Sequence, residues 1–334
     1  MFVKQANGYP KRIFSVRRPR RGKGLIVEQG ILDDLIDSVR RQNLHVLSVV
    51  VRKDGEVLAE HDFEAPKPTL MWSVSKTFTS MAIGIAQSEG FLSLNDKIVD
   101  HFAGEVTETN DRLKKMTVHD LLCMGTGHAK CPMEKVIRDH GPFDHISKLF
   151  FEEPVVYEPG THFVYNNAAT YMLSKLISVT TGVSVNEYLR PRLYQPLGIT
   201  QPYWEADVHG ISFGCNGLYL TARELSKVGQ LLLNKGSWNG QQQLIPAEYI
   251  AKATRSQIDT SDFQEFFATV DHKQGYGYQL WRNAYPNSYR MDGMFGQYVV
   301  MLPDKNAVVT YVSNEPTNMT GILELTWKTL VDHL

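Results

Sequence analysis

Ser73 and Lys76 stand three residues apart in Ser73-Val74-Ser75-Lys76, the one Ser-x-x-Lys spacing in the chain. On a helix, a hydroxyl and an amine at this spacing lie one turn apart on the same side. The amine can then take the hydroxyl proton and leave the serine a nucleophile. A helix start adds free backbone N–H groups and a positive dipole end, and both favour a developing oxyanion. Serine and lysine are common, so about one such spacing is expected by chance in a chain this long. The elements that position the pair must decide what it means.

The stretch from Met71 to Phe91 predicts a helix. Phe78, Met81, Ala82, Ile85 and Ala86 recur at intervals of three and four and make an apolar stripe, and Gly90 is placed as its C-cap. Ser73 falls in the first turn. Tyr165-Asn166-Asn167 follows a Glu158-Pro159-Gly160-Thr161 turn and enters another helix, from about Asn167 to Thr180. A phenol and an amide at i and i+2 there can point into a cleft, although a packed aromatic at a helix entrance is the simpler reading of Tyr165. Tyr285-Pro286-Asn287 has the same spacing but lies in a polar loop. Two other nucleophile arrangements compete. Gly210-Ile211-Ser212-Phe213-Gly214 fits a nucleophile elbow, but Glu205–His209 is a poor buried strand and the next helix waits until about Thr221. A Ser/His/Asp triad through a pair such as Asp139-His140 has nothing to single it out.

Composition narrows the function classes. Lys+Arg 35 against Asp+Glu 36 leaves a net charge of -1, with no overall bias toward nucleic acid or membrane. Cys123, Cys131 and Cys215 are odd in number and contain no Cys-x-x-Cys, which suits a reducing compartment. No His-Glu-x-x-His or His/Cys cluster is present, so neither a metal nor a cofactor is expected. No apolar run reaches the ~18 residues of a membrane span. The first 24 residues form a basic leader that includes Arg17-Arg18, and Gly24–Val27 is too short for the apolar core of a signal peptide. A cytoplasmic protein is expected, with a small ester, amide or lactam as partner and no nucleic acid. The oligomeric state is not legible.

The 334 residues place strand signals at both ends and helices between. Glu28–Arg41 reads as an amphipathic helix. Leu44–Val51, an Asp54-Gly55 turn and Glu56–Glu60 form a hairpin. Val118–Met124 predicts a short helix, and Thr221–Glu224 is a capping box. Tyr276–Trp281, Gln297–Leu302 and Ala307–Val312 read as strands, and Ile322–Leu334 as a closing helix. The expected fold class is α/β (α+β). One antiparallel sheet is built from N- and C-terminal segments, flanked by helices, with an inserted helical lobe. The domain reading is a leader at 1–24, an α/β lobe at 25–92 and 268–334, and a helical lobe at 93–267, with the cleft between lobes.

Several segments in fixed order resemble one family. They are Ser73–Lys76; Met116–Leu122 running into Gly125-Thr126-Gly127; Tyr165-Asn166-Asn167 after the Pro-Gly turn; and Gly217-Leu218-Tyr219-Leu220-Thr221-Ala222 before a helix. Over roughly residues 40–315 the chain is similar to the serine hydrolases related to class C β-lactamases, DD-peptidases (penicillin-binding proteins) and their esterase relatives. The resemblance implies that Ser73 is acylated and that Lys76 is its proton partner. It also implies that Tyr165 passes a proton to the leaving group and that Asn167 orients Lys76 and the substrate.

The family's third motif, Lys-Thr-Gly or His-x-Gly, is matched here by Met291-Asp292-Gly293. Gly293 still allows close backbone approach, and the Met294 N–H would be the second oxyanion donor beside that of Ser73. The cation at the first position is gone, and an Asp292 facing the cleft would repel a substrate carboxylate. The expectation is therefore an esterase or amidase working through an acyl-enzyme. A β-lactamase or DD-peptidase, and a non-catalytic binding protein of the same fold, are the alternatives.

Overall fold

The structure, a computed structural model, describes residues 29–106, 110–134 and 145–334. The basic leader, the Asp139-His140 pair and Glu28 of the first expected helix lie outside these residues. The frame is a six-stranded antiparallel sheet. Its strands are β1 (Val46–Lys53), β2 (Glu56–Asp62), β3 (Trp281–Arg282), β4 (Tyr289–Gly293), β5 (Gln297–Leu302) and β6 (Ala307–Ser313), in spatial order β2-β1-β6-β5-β4-β3. The β-branched runs of β1 and β6 pair with each other, Val49 opposite Tyr311 and Val51 opposite Val309, so the two ends of the chain meet mid-sheet. Asp54 and Gly55 turn the first hairpin at φ 52° and 88°, the twist that a two-residue hairpin requires.

Alternation along these strands splits the core in two. Val49, Val51, Val300, Val309 and Tyr311 pack against Leu35 and Val39 of α1 (Asp33–Arg41), and against Ile322 and Leu325 of a C-terminal helix. Val50, Met291, Val299, Met301 and Val308 face the other way, into a larger cluster. That cluster takes in α2 (Ser75–Ser88), α3 (Val118–Leu122), α4 (Asn167–Thr181) and α5 (Ala222–Leu233).

Two elements depart from the sequence reading. The helix α2 is not amphipathic in use, because every residue from Ser75 to Ala86 is buried. Its polar side is satisfied from within. Thr77 donates to the Gln279 carbonyl at 2.8 Å, Thr79 to the Gly214 carbonyl at 3.0 Å, and Ser75 accepts from the Leu218 N–H at 3.3 Å. The expected strand Tyr276–Trp281 is a bent loop, and only Trp281 joins the sheet. Gln279 has φ 59°, and a Cβ on Gly277 would stand 2.0 Å from the Ala253 carbonyl oxygen, so the chain folds tightly against its neighbour instead of extending. Among the described residues, no helix is long and apolar enough to cross a membrane.

Candidate active site

Ser73 lies in a tight 3₁₀ turn, Trp72–Val74, that leads into α2. The turn is wound by Trp72, a non-glycine residue at φ 48°. Such a conformation costs on the order of 1 kcal/mol or more and persists only where packing holds it. The holder is Phe295, itself at φ 63°, whose ring meets that of Trp72 at 5.0 Å. One left-handed residue thus precedes the serine, and the other follows Met294. The Cα of Gly293 presses on the same turn. A Cβ there would lie 2.6 Å from the Met71 carbonyl oxygen and 3.2 Å from the Val74 nitrogen. Gly293 and Met294 are thereby brought to Ser73 from the far end of the sequence. Ser73 and Met294 remain half-buried.

Lys76 is 1% exposed, and its amine finds its partners locally. Its Nζ donates to Ser73 Oγ at 2.8 Å and to the Cys215 carbonyl at 2.9 Å. It also lies 4.9 Å from the centroid of the Tyr165 ring, a cation–π contact. Two hydrogen bonds and a ring face offset the cost of burying the amine. The second acceptor, a backbone carbonyl, has no signature in sequence.

The Tyr165 loop is held by its neighbour. Asn166 is buried and caps α4, its Oδ1 accepting from the Ala169 N–H at 3.2 Å. Its Nδ2 reaches Thr126 Oγ1 at 3.4 Å and His128 Nδ1 at 3.3 Å. His128 is buried, and desolvation pushes its pKa down to about 4, so it acts here as a neutral acceptor. Asn167, the expected orienting residue, opens α4 half-buried, and its side chain makes no hydrogen bond among the described residues. The Cys215 carbonyl bonds Lys76 where that amide was expected.

Asp292 corrects the reading of charge in the cleft. Along β4, Asp292 points to the side opposite the Gly293 contact. It accepts from Arg290 Nε at 2.7 Å and from His272 Nε2 at 3.2 Å. Burial opposes its charge, but the Arg290 guanidinium and His272 outweigh it and hold the carboxyl below the usual carboxylate range. Arg290 is fully buried, so this negative charge is matched and offers no free repulsion to a substrate carboxylate. Met291 is buried in the core, so the first position of the motif indeed carries no cation toward Ser73.

The rival nucleophile does not fit. Ser212 is 1% exposed, its carbonyl accepts from Ser174 Oγ at 2.6 Å, and no strand-to-helix turn surrounds it. Tyr285 stacks on Trp327 at 5.6 Å, and Asn287 bonds Asp304, which accounts for both residues structurally. One group among the described residues could hold a metal ion, namely His119, Asp120 and Cys123, with ligand atoms within 4.8 Å. Asp120 is also the capping-box residue of α3, and its hydrogen bond pushes the pKa of His119 up to about 10. All three cysteines are free.

The model of one protein family, Beta-lactamase, matches residues 32–330. The chain belongs to the Beta-lactamase family. Within that family it is 23% identical over 332 residues to a protein of Escherichia coli (strain K12) named as a putative D-alanyl-D-alanine carboxypeptidase, covering 79% of this chain and 73% of the relative. Its fold is similar to that of a putative 6-aminohexanoate-dimer hydrolase from Bacillus anthracis. That match has a TM-score of 0.72 at 22% identity and covers 90% of this chain and 81% of the other. An octameric penicillin-binding protein homologue from Pyrococcus abyssi is also similar, with a TM-score of 0.73 at 21% identity, covering 91% and 77%. At these identities the structural likeness speaks for the mixed α/β fold.

Proposed function

We propose that this Beta-lactamase family member is a serine hydrolase that cleaves esters or amides through an acyl-enzyme on Ser73. The observation that carries the reading is the 2.8 Å contact between Lys76 Nζ and a half-exposed Ser73 Oγ, with Tyr165 over the amine. Ser73 Oγ attacks the carbonyl carbon, and the new C–O bond forms as the hydroxyl proton leaves to Lys76 or Tyr165. That proton passes to the leaving oxygen or nitrogen as its bond to the carbonyl carbon breaks. Water then enters by the same route, and the acyl group departs as a carboxylic acid, restoring Ser73. The N–H groups of Ser73 and Met294 serve as the oxyanion donors, and the close approach of Gly293 supports that role.

The preference for esters and amides over β-lactams and peptidoglycan peptides rests on Met291. A buried thioether stands where a carboxylate-holding cation would be needed. The test is a panel of p-nitrophenyl esters, anilides and a chromogenic cephalosporin on wild type and Ser73→Ala. Ester turnover is expected to vanish in the variant, and a fluorophosphonate is expected to label wild type at Ser73. Retained turnover would sink the assignment, and faster hydrolysis of the cephalosporin than of every ester would sink the preference.

A further inference from the structure

Tyr165 also adjoins an aromatic cluster, and the chemistry above does not use it. Trp281 stacks on Tyr165 at 5.9 Å and 23°, and Phe267 meets it edge-on at 6.3 Å. Phe263 ties these two together, 5.6 Å from Phe267 and 5.2 Å from Trp281. Phe266 packs on Phe267 at 5.2 Å yet is 83% exposed, and Val270 nearby is 63% exposed. The segment 259–269, which leads into the 3₁₀ turn Val270–Lys273, has no regular structure, only turns such as Phe263 N–H to the Thr260 carbonyl at 3.0 Å. Its base is anchored. His272 Nδ1 accepts from the Thr269 N–H at 3.1 Å, which leaves the ring proton on Nε2 to donate to Asp292. A loop tied at its base therefore holds Phe266 and Val270 largely in water beside the Phe267 ring that meets Tyr165, an arrangement that marks a contact site.

We propose that this wall, Phe266 and Phe267 against Tyr165 and backed by the buried Trp281, receives an apolar leaving group of the substrate. The inference rests on the acyl-transfer reading and adds the class of substrate. The argument is one of reach. An atom that takes its proton from Tyr165 must come within about 3 Å of the phenol oxygen. Whatever that atom carries then lies against the rings packed on Tyr165. Behind Trp281, the Arg290, Asp292 and His272 side chains are bound to one another, so that cluster offers a charged leaving group no partner. An alkyl or aryl alcohol or amine leaves neutral once it has gained the proton, and its apolar body is what such rings bind.

The test pairs two ester series. Methyl and benzyl acetate differ in the size of the alcohol and little in its acidity; methyl acetate and methyl octanoate differ only in the acyl chain. In wild type, benzyl over methyl acetate is expected to be about tenfold or more in kcat/KM. Phe267→Ala and Phe266→Ser should each bring that ratio close to one, leave the octanoate-to-acetate ratio unchanged, and keep fluorophosphonate labelling of Ser73. A second measurement needs no turnover. In Ser73→Ala protein, 4-nitrobenzyl alcohol should quench tryptophan emission saturably, and adding Phe267→Ala should abolish the saturable part. Saturable quenching in a wild type that turns over no ester would overturn the hydrolase reading and keep the wall. A benzyl-to-methyl ratio untouched by both substitutions, or a change in the acyl series instead, would overturn the wall and keep the hydrolase.

Discussion

The segments Met71–Ser88 and Phe263–Met294 converge on the same serine, but they are held in different ways. In the first, a helix buried on all sides is fixed by hydrogen bonds to backbone groups of distant loops, at Cys215, Gly214, Leu218 and Gln279. In the second, an irregular loop and an edge strand are fixed by ring packing and one buried charge cluster, Arg290–Asp292–His272. On the proposed reading, the difference separates two tasks. Proton transfer needs donors and acceptors placed to within tenths of an ångström, and backbone carbonyls of packed loops provide that. Choosing among substrates needs a shaped surface, and aromatic side chains on a turn provide that without altering the reacting groups.

Substitutions on each side should therefore fail differently. The largest effect is expected from Lys76→Met, which keeps the volume and removes the amine: ester turnover should fall about a thousandfold or more. Stopped-flow measurement of Ser73 acylation checks this, and a loss confined to substrate affinity would contradict the division of tasks. Next comes Asp292→Asn, which leaves the buried Arg290 guanidinium without its counter-charge and should destabilise by about 3 kcal/mol in denaturant melts. The native carboxyl titrates below its ordinary range. Its contribution is thus present above the ordinary carboxylate pKa and is lost as the pH falls through the depressed value.

Gly293→Ala should cost about 2 kcal/mol, since the new Cβ must push the strand off the Met71 carbonyl. Activity should fall more than stability accounts for, because that strand carries Met294; equal acylation rates in both proteins would break the link. The effect of His128 is small near neutral pH and grows only in acid. The unfolded chain takes a proton below the ordinary 6.5 that the folded site refuses down to about 4. Stability should therefore drop by about 1 kcal/mol between pH 6.5 and 5.5 and go on falling toward pH 4. His128→Gln should flatten that slope, and parallel pH curves for the two proteins would exclude His128 as its source.

The chemical side was the more legible in sequence, for a physical reason. A helix declares itself by periodicity, and the 3₁₀ turn that leads into it fixes where Ser73 stands relative to Lys76. The sheet built from both chain ends was legible through the β-branched runs of β1 and β6. Partners supplied by backbone were not: nothing in the residue type at 215 says that its carbonyl meets Lys76. Asn166 was passed over for Asn167, although an asparagine one residue before a helical run is an ordinary cap signal. Arg290 and Asp292, two apart on one strand, could have been paired on sight as same-face neighbours. His272 could not, since a loop brings it there. The same limit hid the aromatic wall, because 259–270 has no period, and the Tyr276–Trp281 alternation misled because the positive φ of Gln279 breaks the strand.

The contact between Trp72 and Phe295 has a consequence for how the protein becomes active. Each ring holds its partner's backbone in a conformation that neither would keep alone, and the two residues belong to opposite ends of the chain. A nascent polypeptide that has emerged only as far as α5 carries Ser73, Lys76 and Tyr165 but lacks β4 and the Phe295 turn that complete the site. Hydrolysis should then begin only after the last strands have paired with β1. In a refolding time course, fluorophosphonate labelling of Ser73 is expected to lag the recovery of helical circular dichroism, and labelling that keeps pace with it would contradict this. On that footing, turnover reports that the chain has finished folding, and a misfolded copy is also a harmless one.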